Sequence, residues 1–215
     1  MIQKKIEETR MDKEVTIIAV TKNHPTGSIN SAIENGIENI GENKVQEAEK
    51  KFHNISKDLK IKLHLIGHLQ KNKVRKAVKL FDYIQTVDSL SLAKRVDKIA
   101  KEEEKIQKIY LQINIANLEN RYGFLTTEIE TAAKIINLYK NLIIEGVMII
   151  PPITKDKTKY LSYFKKAEKL QKRLQKNVKS CTKLSMGMSN DYEEAIQNGA
   201  THIRIGTALF GKREK

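Results

Sequence analysis

The alternation of short apolar runs with longer helical stretches is the feature that most constrains the fold of this chain. Such alternation is typical of a mostly parallel sheet covered by helices. The predicted strands are Val15–Val20, Ile37–Ile40, Leu63–Ile66, Tyr83–Val87, Ile109–Ile113, Ile143–Ile149, Lys183–Met186 and His202–Ile205. The clearest predicted helices between them are Ser89–Glu104, Thr127–Tyr139 and Leu161–Leu174.

The number of these units favours one α/β architecture. About eight strand–helix units in 215 residues predict a (β/α)8 TIM barrel, because a doubly wound sheet usually has fewer strands. No linker rich in Pro, Gly or Ser interrupts the series, so we predict a single domain over residues 1–215. Gly36, Gly146 and Gly199 each follow a helical stretch and precede a strand, which predicts three helix C-terminal caps.

Composition limits the classes of function. Cys181 is the only cysteine, which excludes an internal disulfide and fits a reducing cytosol. The sequence has no apolar run long enough to span a bilayer and no secretory signal at its start, so we expect a cytoplasmic protein without a membrane partner.

The net charge of +14 points to an anionic partner, either nucleic acid or a phosphorylated small molecule. General use of lysine on solvated helix faces, as in KAEKLQKRLQK, is the competing explanation. Because the chain lacks Trp and has only 6% aromatic residues, base stacking is disfavoured and we do not expect a nucleic-acid partner.

Lys22 stands at the end of the apolar run in IIAVTK, on the strand face that Ile18 and Val20 share. An ammonium at the mouth of an apolar face is costly, and a desolvated lysine that loses its proton can attack a carbonyl. A lysine that leaves the strand and points into water is the alternative.

Two segments near the C-terminus have the pattern of an anion cradle. In LSMGMSNDYEEAI, a strand ends at Met186 and either Ser189 or Asn190 can cap the next helix. In HIRIGTALFG, a strand runs directly into Gly206 and Thr207, where a glycine and a helix start suit a phosphate. Each segment alone could be an ordinary helix start or turn, but barrels commonly bind phosphate after strands seven and eight.

Four other polar side chains lie near predicted strand ends. Arg204 shares a strand face with His202 and needs an acceptor inside the barrel, either an internal carboxylate or a ligand atom. Asn43 either contacts a ligand or caps the following helix. His64 and His68 lack the spacing of metal ligands. A lysine, an arginine and a phosphate cradle at one barrel face fit a phosphate-bearing aldehyde, of which pyridoxal 5′-phosphate (PLP) is the common cofactor.

The strings IIAVTK, IGENKVQE, LHLIGHLQKNK, TVDSLSLAKRV, GVMIIPP, LSMGMSNDYEEAI and RIGTALFG together resemble the pyridoxal phosphate homeostasis protein family, single-domain relatives of alanine racemase. The resemblance covers nearly the whole chain. It implies a barrel like the N-terminal domain of alanine racemase, with PLP bound to Lys22 as an internal aldimine. It also implies Arg204 near the pyridine nitrogen, Asn43 and Met186 beside the ring, and phosphate contacts from Ser185, Ser189, Gly206 and Thr207.

The resemblance further implies a PLP carrier or regulator in vitamin B6 homeostasis, with PLP and apo PLP-dependent enzymes as partners. We expect a monomer without a metal. We also expect no robust turnover and no catalytic residue, because alanine racemase adds a β domain that supplies a tyrosine base and closes the site, whereas this sequence ends at GKREK after the barrel. Asn23 and His24 stand where the family usually has a second lysine, which puts that lysine's role in doubt here. A slow racemase that uses Lys22 as its base and a basic RNA-binding module are the alternatives.

Overall fold

Parallel strands that pair in succession until the sheet closes on itself form the centre of the molecule. The computed structural model describes residues 2–9, 14–53, 59–154 and 156–211, and within these ranges eight strands form a closed barrel. Strand β1 pairs with β2 on one side and with β9 on the other, and the pairing of β4 with β5 completes the closure. The barrel strands are β1 (Thr16–Val20), β2 (Asn39–Glu42), β3 (Lys62–Leu65), β4 (Tyr83–Val87), β5 (Gln107–Asn114), β7 (Leu142–Ile149), β8 (Lys183–Met188) and β9 (His202–Ile205), and a short strand β6 (Phe124–Leu125) lies beside β5.

Helices connect the strands and cover the outside of the barrel. Their apolar faces are buried, and in the fifth helix Leu92, Val96 and Ile99 lie on that face. Ser89 caps the start of this helix, where its hydroxyl accepts a hydrogen bond from Leu92 N. Among the described helices, none combines the length and apolar character needed to cross a membrane. The α-helices are α1 (Ile2–Thr9), α2 (Gly27–Glu34), α3 (Val45–Phe52), α4 (Val74–Leu80), α5 (Leu90–Glu102), α6 (Ile129–Ile136), α7 (Lys157–Asn177), α8 (Tyr192–Gln197) and α9 (Thr207–Phe210), and a 3-10 turn (Lys71–Lys73) precedes α4.

The predicted (β/α)8 barrel is confirmed, and one of the three predicted glycine caps is wrong. Gly36 and Gly199 follow α2 and α8 with φ of 76° and 90°, as helix caps do. Gly146 instead lies inside β7, where a Cβ atom would stand 2.1 Å from the carbonyl oxygen of Lys183 on β8. The glycine therefore allows the close approach of two barrel strands.

A chain of hydrogen-bonded polar side chains runs through the barrel interior. Arg204 Nη1 donates to Ser185 Oγ at 2.7 Å, and Ser185 Oγ donates to Gln85 Oε1 at 2.7 Å. Gln85 Nε2 contacts His64 Nδ1 at 2.9 Å, and His64 Nε2 contacts Asn39 Oδ1 at 3.0 Å. Burial lowers the pKa of His64 well below its ordinary value, so the ring is neutral and satisfies both contacts as the Nε2–H tautomer. This interior chain links Asn39, at the start of β2, to Arg204, near the end of β9.

Candidate functional site

A cavity of about 720 Å³ lies at the C-terminal ends of the barrel strands. Its walls come from the segments that follow β1, β2, β3, β7, β8 and β9. Active and binding sites of parallel barrels lie at this face, and the volume is in the range of small-molecule sites.

Six of the eight residues predicted to bind the cofactor line this one cavity, although they come from four separate strand ends. Their side chains meet because parallel strands bring all their C-terminal ends to the same side of the barrel. Their contact with a cofactor stays a prediction. The six residues are Lys22, Asn43, Ser189, Arg204, Gly206 and Thr207.

Ser185 and Met186, the other two predicted residues, do not line the cavity. Ser185 is fully buried within the interior chain, beneath the Arg204 guanidinium. Met186 points to the opposite side of β8 and packs in the hydrophobic core. The pairing of β8 with β9 changes register between Ser185 and Met188, and Gly187 has a φ of 91° within this bulge. As a result Met188 lines the cavity, whereas Met186, which the family resemblance implied beside the ring, does not.

Lys22 lies two residues beyond the end of β1 in a tight turn. Its side chain is half-buried and lines the cavity together with Val20, as the strand alternation predicts. His24 N donates to Thr21 O at 3.0 Å across the turn. Asn23 has a φ of 58°, a left-handed conformation that asparagine tolerates better than most residues. The turn therefore directs the lysine toward the cavity and not away from the barrel.

Arg204 brings a buried positive charge to the cavity. The side chain is 4% exposed, and Arg204 Nη2 donates to Ile149 O at 2.8 Å in addition to its bond with Ser185. No carboxylate in the described part of the chain forms an ion pair with it. Burial lowers the pKa of Arg204 to about 10, while the charge of Asp191 acts in the opposite direction. A ligand atom that accepts a hydrogen bond would therefore complete the surroundings of this guanidinium.

The two segments predicted to hold a phosphate are joined to each other. Ser189 Oγ accepts a hydrogen bond from Ala208 N at 3.3 Å, which links the loop after β8 to the start of α9. Gly206 passes close to β1, since a Cβ atom there would stand 3.3 Å from Val20 O. The predicted helix cap at Ser189 or Asn190 is wrong, because α8 begins at Tyr192 and Asp191 occupies the capping position.

Asn43 lines the cavity and does not cap the next helix. Helix α3 begins at Val45, and Lys44 occupies the position before it. The backbone of Asn43 lies against Gly67, where a Cβ atom would stand 2.2 Å from Asn43 O. Gly67 therefore lets the loop after β3 approach this wall of the cavity.

The two histidines near β3 have other partners. His64 belongs to the interior chain, and His68 Nδ1 lies 3.1 Å from Asp88 Oδ2 while its ring stacks on Tyr122. Within the described ranges, no group of three or more His, Cys, Asp or Glu side chains could hold a metal ion.

Sequence reasoning missed the wall formed by the segment after β7 and the first turn of α7. Because every strand end of a barrel faces the site, the loop after GVMIIPP was a signal for these residues. Burial and the neighbouring Asp191 carboxylate raise the pKa of Tyr160, so its hydroxyl stays protonated. The missed lining residues are Ile150, Ile153, Thr154, Tyr160 and Leu161, together with Asp191 and Glu194 from the start of α8.

Fold and site define a parallel-barrel protein in which a lysine and a buried arginine face one small-molecule cavity. A family model described as the alanine racemase N-terminal domain matches residues 3–214. A pyridoxal phosphate homeostasis protein of Synechocystis sp. is 40% identical over 200 residues, which cover 93% of this chain and 92% of the relative. A protein of the same name from Haemophilus influenzae is 35% identical over 99% of this chain and 93% of its own length. The chain belongs to the pyridoxal phosphate homeostasis protein family, within the group that shares the alanine racemase N-terminal domain.

Solved structures agree with this assignment. PipY of Synechococcus elongatus, determined with PLP bound, is 36% identical and superposes with a TM-score of 0.87 over 98% of this chain and 100% of PipY. An alanine racemase of Clostridium difficile is 14% identical, with a TM-score of 0.77 over 99% of this chain and 55% of that enzyme, and shows the shared fold alone.

Proposed function

We propose that this protein binds PLP and acts in PLP homeostasis, with Lys22 as the covalent attachment point. The observation that carries the proposal is that Lys22 and the buried Arg204, which has no ion-pair partner in the described chain, line the same cavity. PipY, which has PLP bound in its solved structure, supports it as a relative of 36% identity.

The lining residues fit the chemistry of this cofactor. PLP supplies an aldehyde and an electron-withdrawing ring when it is bound. The Lys22 amine would join the aldehyde carbon with loss of water, and Arg204 would donate a hydrogen bond to the ring nitrogen. We assign the phosphate to Ser189, Gly206 and Thr207, and we place Asn43 beside the ring. Ser185 supports Arg204 from below and takes no direct part in our assignment.

We further propose that the protein carries PLP to apo-enzymes and lacks robust catalytic turnover. Arginine does not give up its proton to the ring nitrogen, so the bound ring withdraws electrons weakly. Racemisation also needs a second base opposite the lysine. Tyr160 lines the cavity, but its raised pKa makes it a poor base at neutral pH. Asp191 also lines the cavity, but its carboxylate already accepts a hydrogen bond from Met188 N.

Borohydride trapping tests the attachment point. The purified protein with PLP should show imine absorbance, and reduction followed by peptide mapping should find the label on Lys22. The Lys22→Ala variant should lose the band and remain folded, because it removes a residue at the cavity and not a core side chain. Lys44→Ala, which removes an exposed lysine outside the lining, is the matched control. Label mainly on another lysine would overturn the assignment.

A slow racemase is the second candidate, because Lys22, its base in that function, shares the cavity with the Tyr160 hydroxyl, which could donate a proton. Stereo-resolved turnover of alanine and other amino acids over hours, with Lys22→Ala as control, separates the two functions. Turnover on the order of 1 per second that is lost in this control would establish the racemase in place of the carrier.

An RNA-binding role would depend on a different surface, a groove of about 520 Å³ on the outside of the barrel. Steeply salt-dependent RNA binding that persists without PLP would support that role. The groove is lined by Lys71, Asn72, Ser91, Lys94, Arg95 and Lys98.

A further inference from the structure

A buried ionic cluster lies directly behind the Lys22 turn, outside the cavity lining. Lys51 Nζ contacts Glu42 Oε1 and Glu47 Oε1, each at 2.7 Å. The Glu42 side chain is 0% exposed and that of Lys51 is 9% exposed. We call Glu42, Glu47 and Lys51 the Lys51 cluster.

The Lys51 cluster holds both neighbours of Lys22. Lys51 Nζ donates to Thr21 O at 2.7 Å, and Thr21 Oγ1 donates to Glu42 Oε1 at 2.6 Å. On the other side, Asn23 N donates to Glu47 Oε1 at 2.6 Å. These contacts join the turn after β1 to the end of β2 and to α3. They also accompany the left-handed φ of 58° at Asn23.

The energetics of the cluster favour a role in geometry over one in stability. Burial raises the pKa of Glu42 against the effect of the Lys51 hydrogen bond, and Glu42 Oε2 has no hydrogen-bond partner in the described structure. Burial also acts to raise the pKa of Glu47, but hydrogen bonds from Lys51 and Asn23 N lower it overall. Buried charges of this kind are costly to desolvate, and an apolar replacement of similar volume is often neutral or stabilising. Such a cluster is therefore weak as a source of stability, whereas its contacts with Thr21 and Asn23 are directional.

We propose that the Lys51 cluster is a positioning device for Lys22, which holds the turn at Thr21 and Asn23 so that the lysine amine meets an aldehyde in the cavity. This inference rests on the proposed attachment of PLP to Lys22. Lys51, Glu42 and Glu47 act through the backbone of the turn, so they are positioning residues and not catalytic ones.

The test compares two ligands that differ only at the reacting carbon. PLP has an aldehyde, whereas pyridoxine 5′-phosphate has an alcohol and cannot form an imine. The Glu42→Gln/Lys51→Met double variant removes both buried charges at similar volume, so it is the main variant beside the Lys51→Met single variant. We expect the rate of imine formation in these variants to fall by about tenfold to a hundredfold, the range for loss of reactive geometry. Absorbance and borohydride trapping on Lys22 measure this rate. Binding of pyridoxine 5′-phosphate, followed by calorimetry, should change by less than about threefold, since the cavity lining is untouched.

The controls separate this inference from the proposed function. Lys172→Met breaks the i,i+4 pair of Lys172 with Glu168 on α7 and should leave imine formation unchanged. If the wild-type protein forms no adduct on Lys22, the proposed attachment fails and the inference fails with it. If the wild-type forms the adduct and the double variant does so at the same rate, the inference alone fails. A double variant that does not fold, or that loses both ligands equally, would show a structural cluster and would also overturn the inference.

Discussion

Replacement of Ser185 by alanine should destabilise the barrel by about 3 kcal/mol. The Ser185 hydroxyl accepts a bond from the charged Arg204 and donates one to Gln85, both at 2.7 Å and both fully buried. A hydrogen bond to a charged group contributes about 1.5 to 3 kcal/mol and a neutral one about 1 kcal/mol. The variant leaves one guanidinium N–H and Gln85 Oε1 without this partner inside the barrel. The free energy of unfolding of the cofactor-free protein should therefore fall by about this amount.

Urea unfolding of the cofactor-free protein measures the effect. A lower midpoint with an unchanged m value would show that the variant has lost stability. Ser162→Ala is the matched control, because its hydroxyl is exposed on α7 and donates to Lys159 O. We expect that control to lie within about 0.5 kcal/mol of the wild-type protein. Ser185→Ala combined with Gln85→Leu should cost less than the two single changes together, since both break the same bond. A loss below about 1 kcal/mol for Ser185→Ala, or strict additivity with Gln85→Leu, would refute the interior chain as a stabilising unit.

The remaining predictions use independent parts of the molecule. Burial lowers the pKa of His202 to about 4 and that of His64 well below its ordinary value, so both are neutral in the folded protein. As the pH falls, the two histidines are protonated in the unfolded state before they are protonated in the folded state. The free energy of unfolding is therefore at its full value above about pH 6.5 and falls as the pH drops toward 4, by about 3 kcal/mol from His202 alone. Unfolding curves between pH 7 and pH 4 check this, and a flat profile would contradict it. Gly146→Ala should abolish or severely weaken folding because its Cβ atom would stand 2.1 Å from a carbonyl oxygen of β8, whereas Gly27→Ala, with nothing within 4 Å, should be tolerated in the same expression and melting assay. Thr207→Val should weaken PLP binding by about 1 to 3 kcal/mol and leave pyridoxal, which lacks the phosphate, nearly unaffected; equal weakening of both ligands would assign Thr207 a structural role.

The fold could be predicted because hydrophobic periodicity is a local property of the chain. Predicted bounds for Tyr83–Val87 and His202–Ile205 coincide with β4 and β9, and the other barrel strands differ at their ends. Strand ends also located Lys22 and Arg204 correctly at one cavity, because the topology of a parallel barrel brings these ends together. The short strand β6 was missed, since two residues carry no periodic signal.

The parts of the site that escaped prediction depend on contacts between distant segments. Tyr160 reaches the cavity from the first turn of α7; the barrel topology indicates that the segment after β7 faces the site, but it does not indicate where the next helix begins. The family resemblance implied Met186 beside the ring, whereas the bulge at Gly187 interrupts the regular strand and Met188 lines the cavity. Irregular backbone of this kind changes which side chains face a site without changing the hydrophobic pattern.

Contacts between distant segments also determine what holds the two charged residues of the cavity, Lys22 and Arg204, and the sequence does not indicate these contacts. Glu47 and Lys51 have the i,i+4 spacing of an ordinary surface pair, and only the packing of α3 against the ends of β1 and β2 buries Lys51 and partly buries Glu47. Arg204, in contrast, is held by neutral partners, Ser185 and the Ile149 carbonyl. Its charge is therefore not neutralised by an ion pair and is available to a ligand in the cavity. A carboxylate introduced in place of Ser185 would pair with the guanidinium, so Ser185→Asp should weaken PLP binding even where the barrel tolerates the added charge. Unchanged PLP affinity in a folded Ser185→Asp variant would mean that Arg204 does not contribute its charge to the cofactor.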